Sequence, residues 1–461
     1  MALYRIYGKA MGKETGKPGI VYKIFKTYLR FVHDKIYYKK TYSINQENIP
    51  ADGVPTLVVS NHQNCLNDPL GVLFTFRDRK PNFITRADVF ALHPIANKFL
   101  RSIGLLPAFR LDYEGEGALG KNDETFKITE RELVNGRTIV MYPEAGHQDK
   151  RWLGTFSMGY LKLAFEAAEM DNFNTEIFVL PSCNHYRNYF EIQGQFMVKF
   201  GTPISLKPFY ELYKTKPRTA KRQVNALVRE QISSLMLNVE DLENYNSIDY
   251  IRTTYGKAYA AQNGVDTDSL PDMLVSDKEL CAKLEGLKEK DPAVAQEIYT
   301  LAEKVQEGVK KFGTRSGALE KKPSGIMAAL KLVLAFMLVE LYIFSLWPAL
   351  FLYGIPKFVH SKLSRDMMFQ GTFIYAFNVL FLIPIFSLAV FLITYFGTGL
   401  WWMGLAHVAI IPLLCIFAWN YTKCVGNTFK DLRWLRGMNT AKGKELQQMH
   451  NELWSKLKNI K

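Results

Sequence analysis

Cysteine is scarce in this chain, and its distribution argues against two kinds of site. The five cysteines, at positions 65, 183, 281, 415 and 424, are odd in number and widely scattered. They match neither the paired framework of a disulfide-rich secreted domain nor the close spacing of a zinc site. We expect a protein of a reducing compartment that holds no metal.

Several other signatures are missing as well. The sequence has no Gly-x-Ser-x-Gly turn for a serine nucleophile, and no zinc-knuckle, helix-turn-helix or RNA-recognition pattern. It opens without the apolar core of a signal peptide, which predicts that the N-terminal half stays in the cytoplasm. The formal charge of +14 predicts an anionic partner, and without nucleic-acid motifs an anionic lipid or an acidic substrate is the better candidate.

The most informative segment is the loop Asn61-His62-Gln63-Asn64-Cys65-Leu66-Asn67-Asp68. It follows a short apolar strand and precedes Pro69 and an apolar helical run, so it joins a strand to a helix. Across such a turn His62 and Asp68 can meet as a general base and the carboxylate that orients it. The alternative is that Asp68 only caps the helix and His62 is an ordinary loop histidine.

Four further blocks follow this loop along the chain. They are Phe83-Ile84-Thr85-Arg86, Gly104-Leu105-Leu106-Pro107-Ala108-Phe109-Arg110, Met141-Tyr142-Pro143-Glu144-Ala145-Gly146-His147 and Val179-Leu180-Pro181-Ser182. The series resembles the glycerolipid acyltransferase superfamily, whose members acylate glycerol-3-phosphate and lysophosphatidate. The resemblance covers roughly residues 20–240, about half of the chain.

The resemblance implies transfer of an acyl group from a thioester, either acyl-CoA or acyl-carrier protein, to an acceptor hydroxyl without a cofactor. His62 would be the general base, and Asp68 would fix its tautomer. Backbone N–H groups near Ala145 and Gly146 would stabilise the charge that develops on the thioester oxygen. Cys65 lies close enough to His62 to act as a nucleophile, but the family gives it no role.

The resemblance also implies a set of acceptor-binding residues. They are Arg86, Arg110, Glu144, Gly146 and His147. Arg86 and Arg110 would pair with phosphate oxygens, and the alternative is that they are solvated surface arginines. For Glu144 the alternative is a structural carboxylate bonded to nearby backbone. Pro181 and Ser182 would form part of a pocket wall.

Two departures from the family pattern bear on the acceptor. Five residues separate His62 from Asp68, where the family usually has four, and Asn-His-Gln-Asn resembles a subgroup of glycerol-phosphate acyltransferase-like proteins with this spacing. The third block usually ends in an Arg that grips the acceptor phosphate, and that Arg is absent here. His147, Lys150 and Arg151 are the candidates to replace it.

Between residues 50 and 240, short apolar strands alternate with amphipathic helices, which predicts an α/β domain with a sheet covered by helices. Strands are predicted at 56–60, 82–85, 105–109, 138–142, 177–181 and 196–200. Helices are predicted at 69–76, 88–102, 123–135, 155–170 and 208–237. Before this domain, residues 22–40 predict a basic, aromatic helix that lies in a lipid interface through Phe25, Tyr28, Leu29, Val32 and Ile36, or else packs on the domain.

The C-terminal half has a different character. Residues 241–322 are polar with a helical pattern, and 323–424 form a membrane region followed by a basic tail, 425–461. Uncharged runs at 371–397 and 400–421 are each long enough to cross a bilayer and predict a helical hairpin within 371–421. Its basic flanks place both ends in the cytoplasm. For 326–355 we expect a re-entrant or interfacial segment bent near Pro348, with a third span as the alternative.

These patterns predict an integral membrane O-acyltransferase, in the inner or plasma membrane if the source is bacterial, with its catalytic domain on the cytoplasmic face. The acceptor would be glycerol-3-phosphate or lysophosphatidate, in phospholipid biosynthesis. One alternative is the same chemistry on a lysolipid that lacks a phosphate, which would suit the missing Arg. A second is a non-catalytic lipid-binding protein, which would not need His62, Asp68 and Glu144 together. Oligomeric state and acyl-chain length stay open.

Overall fold

The computed structural model describes residues 18–86, 97, 100, 103–108, 117–144, 146, 150–364 and 366–460. The chain divides into two compact units, Met1–Asn238 and Val239–Lys461. The first is a mixed α/β unit, and the described residues of the second form helices.

The first unit is built on one sheet, to which the described residues contribute eight strands. They are β1 (Lys40–Ile44), β2 (Thr56–Ser60), β3 (Asn82–Arg86), β4 (Leu105–Ala108), β5 (Thr138–Met141), β6 (Phe178–Tyr186), β7 (Gln195–Phe200) and β8 (Ile204–Ser205). The order across the sheet is β1-β7-β6-β2-β5-β3-β4, with β8 paired to the start of β6. Neighbouring strands are parallel, except that β6 runs antiparallel to β7 and β8.

Each of the six predicted strands has a counterpart, and β1 and β8 were not predicted. The sequence patterns predict that the α/β domain begins at residue 50 and that residues 1–49 form a separate N-terminal region, but β1 lies before residue 50 and the sheet therefore begins there. The sequence of β1, Lys-Thr-Tyr-Ser-Ile, has a single aliphatic residue. Among the described strands β1 lies at the edge of the sheet and pairs with β7, so its place comes from backbone pairing rather than from an apolar pattern.

Six α-helices whose bounds are described accompany the sheet. They are α1 (Ile20–Phe31), α2 (Asn67–Thr75), α3 (Gly117–Val134), α4 (Gly159–Met170), α5 (Tyr210–Thr215) and α6 (Pro217–Leu235). The single helix predicted over 208–237 is divided at Lys216, because the residue before a proline avoids the helical conformation. The helix predicted at 88–102 falls outside the described residues except at Asn97 and Leu100, which are helical.

Helices cover both faces of the sheet. Those on one face, α4 and α6, bury residues such as Leu163 and Val228 against Leu57 and Val179. On the other face α2 lies close to β7, where a Cβ on Gly71 would fall on the ring of Phe196. The absence of that Cβ lets α2, which carries Asp68, sit directly on the sheet.

The buried and exposed faces of the N-terminal helix α1 differ from those predicted. Leu29 and Val32, which the sequence pattern placed on a lipid-facing stripe, are buried on the domain. Lys26 is buried too, and its ammonium group donates to the carbonyl oxygen of Phe76 at the end of α2. The exposed apolar residues are instead Ile20, Val21, Ile24 and Phe31, whose side chains are 56–77% exposed.

Eleven further helices with described residues make up the second unit. They are α7 (Tyr245–Gln262), α8 (Leu270–Lys290), α9 (Pro292–Phe312), α10 (Ser316–Glu320), α11 (Gly325–Met337), α12 (Val339–Ala349), α13 (Ile355–Leu363), α14 (Gln370–Phe377), α15 (Ile383–Thr398), α16 (Trp401–Gly437) and α17 (Ala441–Lys458). The first three, α7 to α9, form a bundle with α17 and the end of α16. The C-terminal tail therefore packs on the polar segment 241–322.

Specific contacts hold this bundle together. Tyr255 of α7 and His450 of α17 share a hydrogen bond of 2.8 Å, and Phe312 of α9 packs edge-on against Trp434 of α16 at 5.5 Å between ring centroids. Just after α9, Arg315 forms a forked ion pair with Asp431 at 2.6 and 2.9 Å. The segments that enter and leave the apolar region therefore belong to one folded body.

Among the described residues, two helical stretches are long and apolar enough to cross a membrane, Val339–Leu363 and Trp401–Gly437. A third candidate is the pair Met367–Leu380 and Ile383–Thr398, which is bent by 44°. The second half of the predicted hairpin extends well beyond residue 421, because α16 continues into the bundle. In the segment predicted to bend near Pro348, the break between helices lies instead at Leu338, and a wide π-helical turn follows Pro348 at Leu350–Gly354.

Candidate active site

His62 and Asp68 meet across the turn between β2 and α2. The imidazole Nδ1 lies 2.9 Å from Asp68 Oδ2. The aspartate side chain is fully buried, whereas the histidine side chain is 17% exposed. A buried carboxylate beside Nδ1 favours the tautomer in which Nδ1 carries the proton and Nε2 can accept one. This is the arrangement of a histidine general base with an orienting carboxylate.

Asp68 does more than cap its helix, which was the alternative prediction. It lies in the first turn of α2 rather than before it, and its Oδ2 also accepts the backbone N–H groups of Gln63 and Asn64 at 2.7 and 2.8 Å. The carboxylate therefore folds the loop back around itself. A single side chain fixes both the path of the loop and the orientation of the His62 ring.

Glu144 connects the histidine loop, residues 61–68, to the segment after β5. Its Oε1 accepts the backbone N–H of His62 at 2.8 Å, and its Oε2 accepts that of Gly154 at 2.8 Å. Burial raises the pKa of Glu144 to about 7, although both N–H groups favour the charged form. Since two backbone donors use its two oxygens, this geometry matches the structural alternative. Acceptor binding by Glu144 stays a prediction.

Tyr142 supports the histidine from its ring face. The two rings are stacked, with centroids 4.5 Å apart and planes inclined by 29°. Burial and the nearby Asp68 carboxylate raise the pKa of the Tyr142 phenol well above its usual range. Stacking on one face and a hydrogen bond at Nδ1 together restrict how the imidazole can turn.

A wall of residues from the end of β6 and the following loop braces the histidine loop, and the sequence patterns did not single it out. Tyr186 donates to Asp68 Oδ1 at 2.5 Å, and Tyr189 donates to Gln63 Oε1 at 2.8 Å. Asn184 is joined to the start of the loop, because its backbone N–H donates to Asn61 Oδ1 at 2.7 Å. No spacing rule links these residues to His62, since more than 100 positions separate them in the chain.

The predicted acceptor-binding residues are only partly described. Arg86 is the last residue of β3, and since β2, β5, β3 and β4 are parallel, its backbone emerges at the same sheet edge as the histidine loop. Arg110 and His147 lie outside the described residues, as does Ala145. Gly146 is described, and a Cβ built on it would meet no atom within 4 Å. Roles for these residues in acceptor binding stay predictions.

Arg151 is one of the candidates to replace the missing phosphate-binding Arg. The structure shows it buried, with Nη2 donating to the carbonyl oxygens of Tyr186 and Arg187 at 2.8 and 3.2 Å. Its guanidinium also lies 4.9 Å from the centre of the Tyr189 ring. Arg151 therefore ties the loop after β5 to the end of β6. A phosphate contact by Lys150 or His147 stays a prediction, and His147 lies outside the described residues.

Comparison with known proteins agrees with the motifs. Residues 40–183 match the family model described as Acyltransferase. An uncharacterized acyltransferase of Schizosaccharomyces pombe is 27% identical over 141 residues, which are 30% of this chain and 21% of that protein. The match thus spans about a fifth of the length of that relative.

A solved structure is also similar over part of the chain. It is the 1-acyl-sn-glycerophosphate acyltransferase PlsC from Thermotoga maritima, at 15% sequence identity and a TM-score of 0.34. The similarity covers 51% of this chain and 91% of that one. The ordered blocks, the His62–Asp68 pair and the family match agree. The chain therefore carries an acyltransferase domain within residues 40–183.

Proposed function

We propose that this protein is a membrane-bound O-acyltransferase that moves a fatty acyl group from acyl-CoA or acyl-carrier protein to the hydroxyl of glycerol-3-phosphate or lysophosphatidate. The observation that carries the proposal is the 2.9 Å contact between His62 Nδ1 and the buried Asp68 carboxylate. A hydroxyl is a weak nucleophile at neutral pH and needs a base at the moment of attack. The motifs that surround this pair are those of glycerolipid acyl transfer.

The reaction follows from this geometry. His62 Nε2 takes the proton of the acceptor hydroxyl as its oxygen attacks the thioester carbonyl carbon and forms the new C–O bond. Asp68 stabilises the imidazolium that results. The tetrahedral intermediate then collapses, the C–S bond breaks, and the thiol leaving group takes the proton from His62. Backbone N–H groups near Gly146 would stabilise the negative charge on the carbonyl oxygen of that intermediate.

Two features support placement at a membrane. The apolar stretches Val339–Leu363 and Trp401–Gly437 are long enough to cross a bilayer, and the exposed apolar residues of α1 stand beside Lys23 and Arg30, as suits contact with anionic lipid. The basic flanks of the apolar region support a cytoplasmic location for both of its ends, and on the same grounds we propose that the catalytic domain lies on the cytoplasmic face.

The second candidate is the same chemistry on a lysolipid without a phosphate. It is favoured by the missing third-block Arg, together with the use of Arg151 as a structural tie. Two of the five N–H donors of the Arg151 guanidinium are used by these carbonyl oxygens, and the side chain is buried, which makes it a poor ligand for an acceptor phosphate. The two candidates share His62 and Asp68 and differ only in the acceptor.

The test is acyl transfer by the purified full-length protein in lipid micelles. Palmitoyl-CoA is offered with glycerol-3-phosphate, lysophosphatidate or a phosphate-free lysolipid, and each reaction is repeated with His62→Ala. Turnover that needs His62 and a phosphorylated acceptor supports the first proposal, and turnover only on the phosphate-free lipid supports the second. Full activity of His62→Ala would refute the mechanism. Absence of turnover with every acceptor, but unchanged lipid binding in both proteins, would favour a binding protein.

A further inference from the structure

Four hydrogen bonds converge on the buried carboxylate of Asp68. Three of them reach Oδ2 and come from its own loop, namely the His62 ring and the backbone N–H groups of Gln63 and Asn64. The fourth reaches the other oxygen, where the Tyr186 hydroxyl donates to Oδ1 at 2.5 Å. Of these four hydrogen bonds, the one from Tyr186 comes from outside the loop.

Tyr186 is held firmly enough to orient its partner. It is the last residue of β6, is paired with Phe196 of β7, and its side chain is completely buried. Its ring packs against those of Phe196 and Tyr189 at 4.8 and 5.5 Å between centroids. The backbone is fixed as well, because Arg151 donates to the Tyr186 carbonyl oxygen.

The hydroxyl also stays a donor over the working pH range. Burial, with the neighbouring Asp68 charge, raises the pKa of the Tyr186 phenol well above its usual range. A carboxylate that is bound at one oxygen can still rotate about its bond to Cβ. A fixed donor at the second oxygen removes that freedom and keeps Oδ2 directed at the histidine ring.

We propose that Tyr186 is a positioning residue for acyl transfer, whose hydroxyl sets the plane of the Asp68 carboxylate and through it the orientation of His62. The inference rests on the proposed function of the His62–Asp68 pair. Tyr186 is completely buried and its hydroxyl contacts Asp68 rather than the imidazole, so it acts on the rate of the chemical step rather than on substrate binding. A tyrosine that only filled the core would influence stability and leave the kinetics of the folded enzyme unchanged.

The test is Tyr186→Phe in the full-length enzyme, which keeps the ring and removes only the hydroxyl. We expect kcat to fall roughly 10- to 100-fold, the range for loss of a supporting partner behind a functional side chain, with KM for both substrates within about twofold of wild type. The matched control is Tyr38→Phe. Tyr38 is 1% exposed and lies in the same aromatic cluster, with its ring centroid 6.3 Å from that of Tyr186. Its variant should keep kcat within about twofold.

A double-mutant cycle makes the result independent of any loss of folding. If Tyr186 acts through Asp68, then Tyr186→Phe should lower kcat far less in an Asp68→Asn background than in wild type. Equal losses in both backgrounds, or a wild-type kcat for Tyr186→Phe, would overturn the inference. So would equal losses for the Tyr38 and Tyr186 variants. An active His62→Ala variant would instead remove the proposed function, so the two failures can be told apart.

Discussion

Glu144 and His62 are 82 positions apart in the chain, yet the Glu144 carboxylate accepts the backbone N–H of His62 at 2.8 Å. Its second oxygen accepts the N–H of Gly154, so the carboxylate spans two loops. An amide at position 144 can accept only one of these two bonds. We expect Glu144→Gln to lower kcat at least about tenfold and to destabilise the protein by about 1–3 kcal/mol.

The measurements that check this are steady-state kinetics and the thermal unfolding midpoint in detergent. Glu211→Gln is the control, because that side chain is 85% exposed on α5 and should change neither. If Glu144 bound the acceptor instead, the variant would raise KM for the acceptor and leave the unfolding midpoint where it was.

The close approach of α2 to the sheet gives a second prediction. A Cβ at position 71 would strike the ring of Phe196, which packs against Tyr186, so Gly71→Ala must displace either the ring or the helix that carries Asp68. We expect a loss of about 1–3 kcal/mol in stability and a clear fall in kcat. Gly286→Ala on α8 is the matched control. A Cβ there meets nothing within 4 Å, so it should stabilise the helix by about 0.5–1 kcal/mol. Equal changes in stability and kcat for the two variants would contradict the prediction.

One contribution to the pH dependence of stability comes from Glu130. Burial, together with the neighbouring Glu166 carboxyl group, raises the pKa of Glu130 to about 7, above the 4.5 of a free side chain. Between these two pH values the folded protein binds the proton and the unfolded chain does not. Stability from this group is therefore complete below about pH 4.5 and is lost as pH rises to about 7, by at most about 3 kcal/mol.

Replacing Glu130 by Gln removes that dependence. We expect Glu130→Gln to unfold at a higher temperature than wild type above pH 7, and the difference to shrink as pH falls to 5. Thermal unfolding measured across this range checks the sign. A variant that was less stable than wild type at pH 8 would show that the charged form of Glu130 is the favoured one.

The contacts of the helical bundle predict how many times the chain crosses the membrane. Arg315, before the apolar region, pairs with Asp431 in the C-terminal part of α16, beyond the uncharged run that ends at Tyr421. We therefore expect both ends to lie on one side of the membrane and the number of crossings to be even. In sealed vesicles, we expect a membrane-impermeant maleimide to label Lys322→Cys and Asn439→Cys from the same side of the membrane. Gly397→Cys should be labelled from the other side. The background should lack the exposed Cys424. Labelling of positions 322 and 439 from opposite sides would refute the prediction.

The exposed face of α1 gives a last prediction. Ile20, Ile24 and Phe31 fall on one line along the helix and are exposed, so this line should contact lipid. A fluorophore at Ile24→Cys in the full-length protein should be quenched by spin-labelled lipids in nanodiscs. The control is Gln223→Cys on α6, which covers the opposite face of the sheet. Equal quenching at both positions would show that α1 has no preferred contact with the bilayer.

The sequence predicted the parts of the fold whose signal is local. Leu57-Val58-Val59 followed by a loop and Asp68-Pro69 predicted a strand, a turn and a helix, and the structure brings His62 and Asp68 together across them. The apolar runs likewise predicted the helices around Gly399. Such patterns depend on neighbours in the chain, and so a single sequence carries them.

The remaining features depend on pairings between distant segments. The β1 strand has little apolar pattern of its own and exists because β7 offers an edge. Tyr186 follows the fourth block by only four residues, but nothing in that spacing reveals that β6 returns beside β2 and brings the hydroxyl to Asp68. The lipid-facing side of α1 was misjudged for the same reason. Both sides of the helix contain apolar residues, and only packing on the domain decides which one is covered.

The wall at the end of β6 also limits the direction from which substrates can arrive. On that flank the histidine loop is closed by bonds to Asn184, Tyr186 and Tyr189. If the proposed function holds, we expect the thioester and the acceptor to approach from the side of β5, β3 and β4, where Arg86 ends its strand. Entry from one flank would make the two substrates share a path. Variation in the segments that border that path, rather than at His62 or Asp68, is then the route by which such an enzyme changes its choice of lipid.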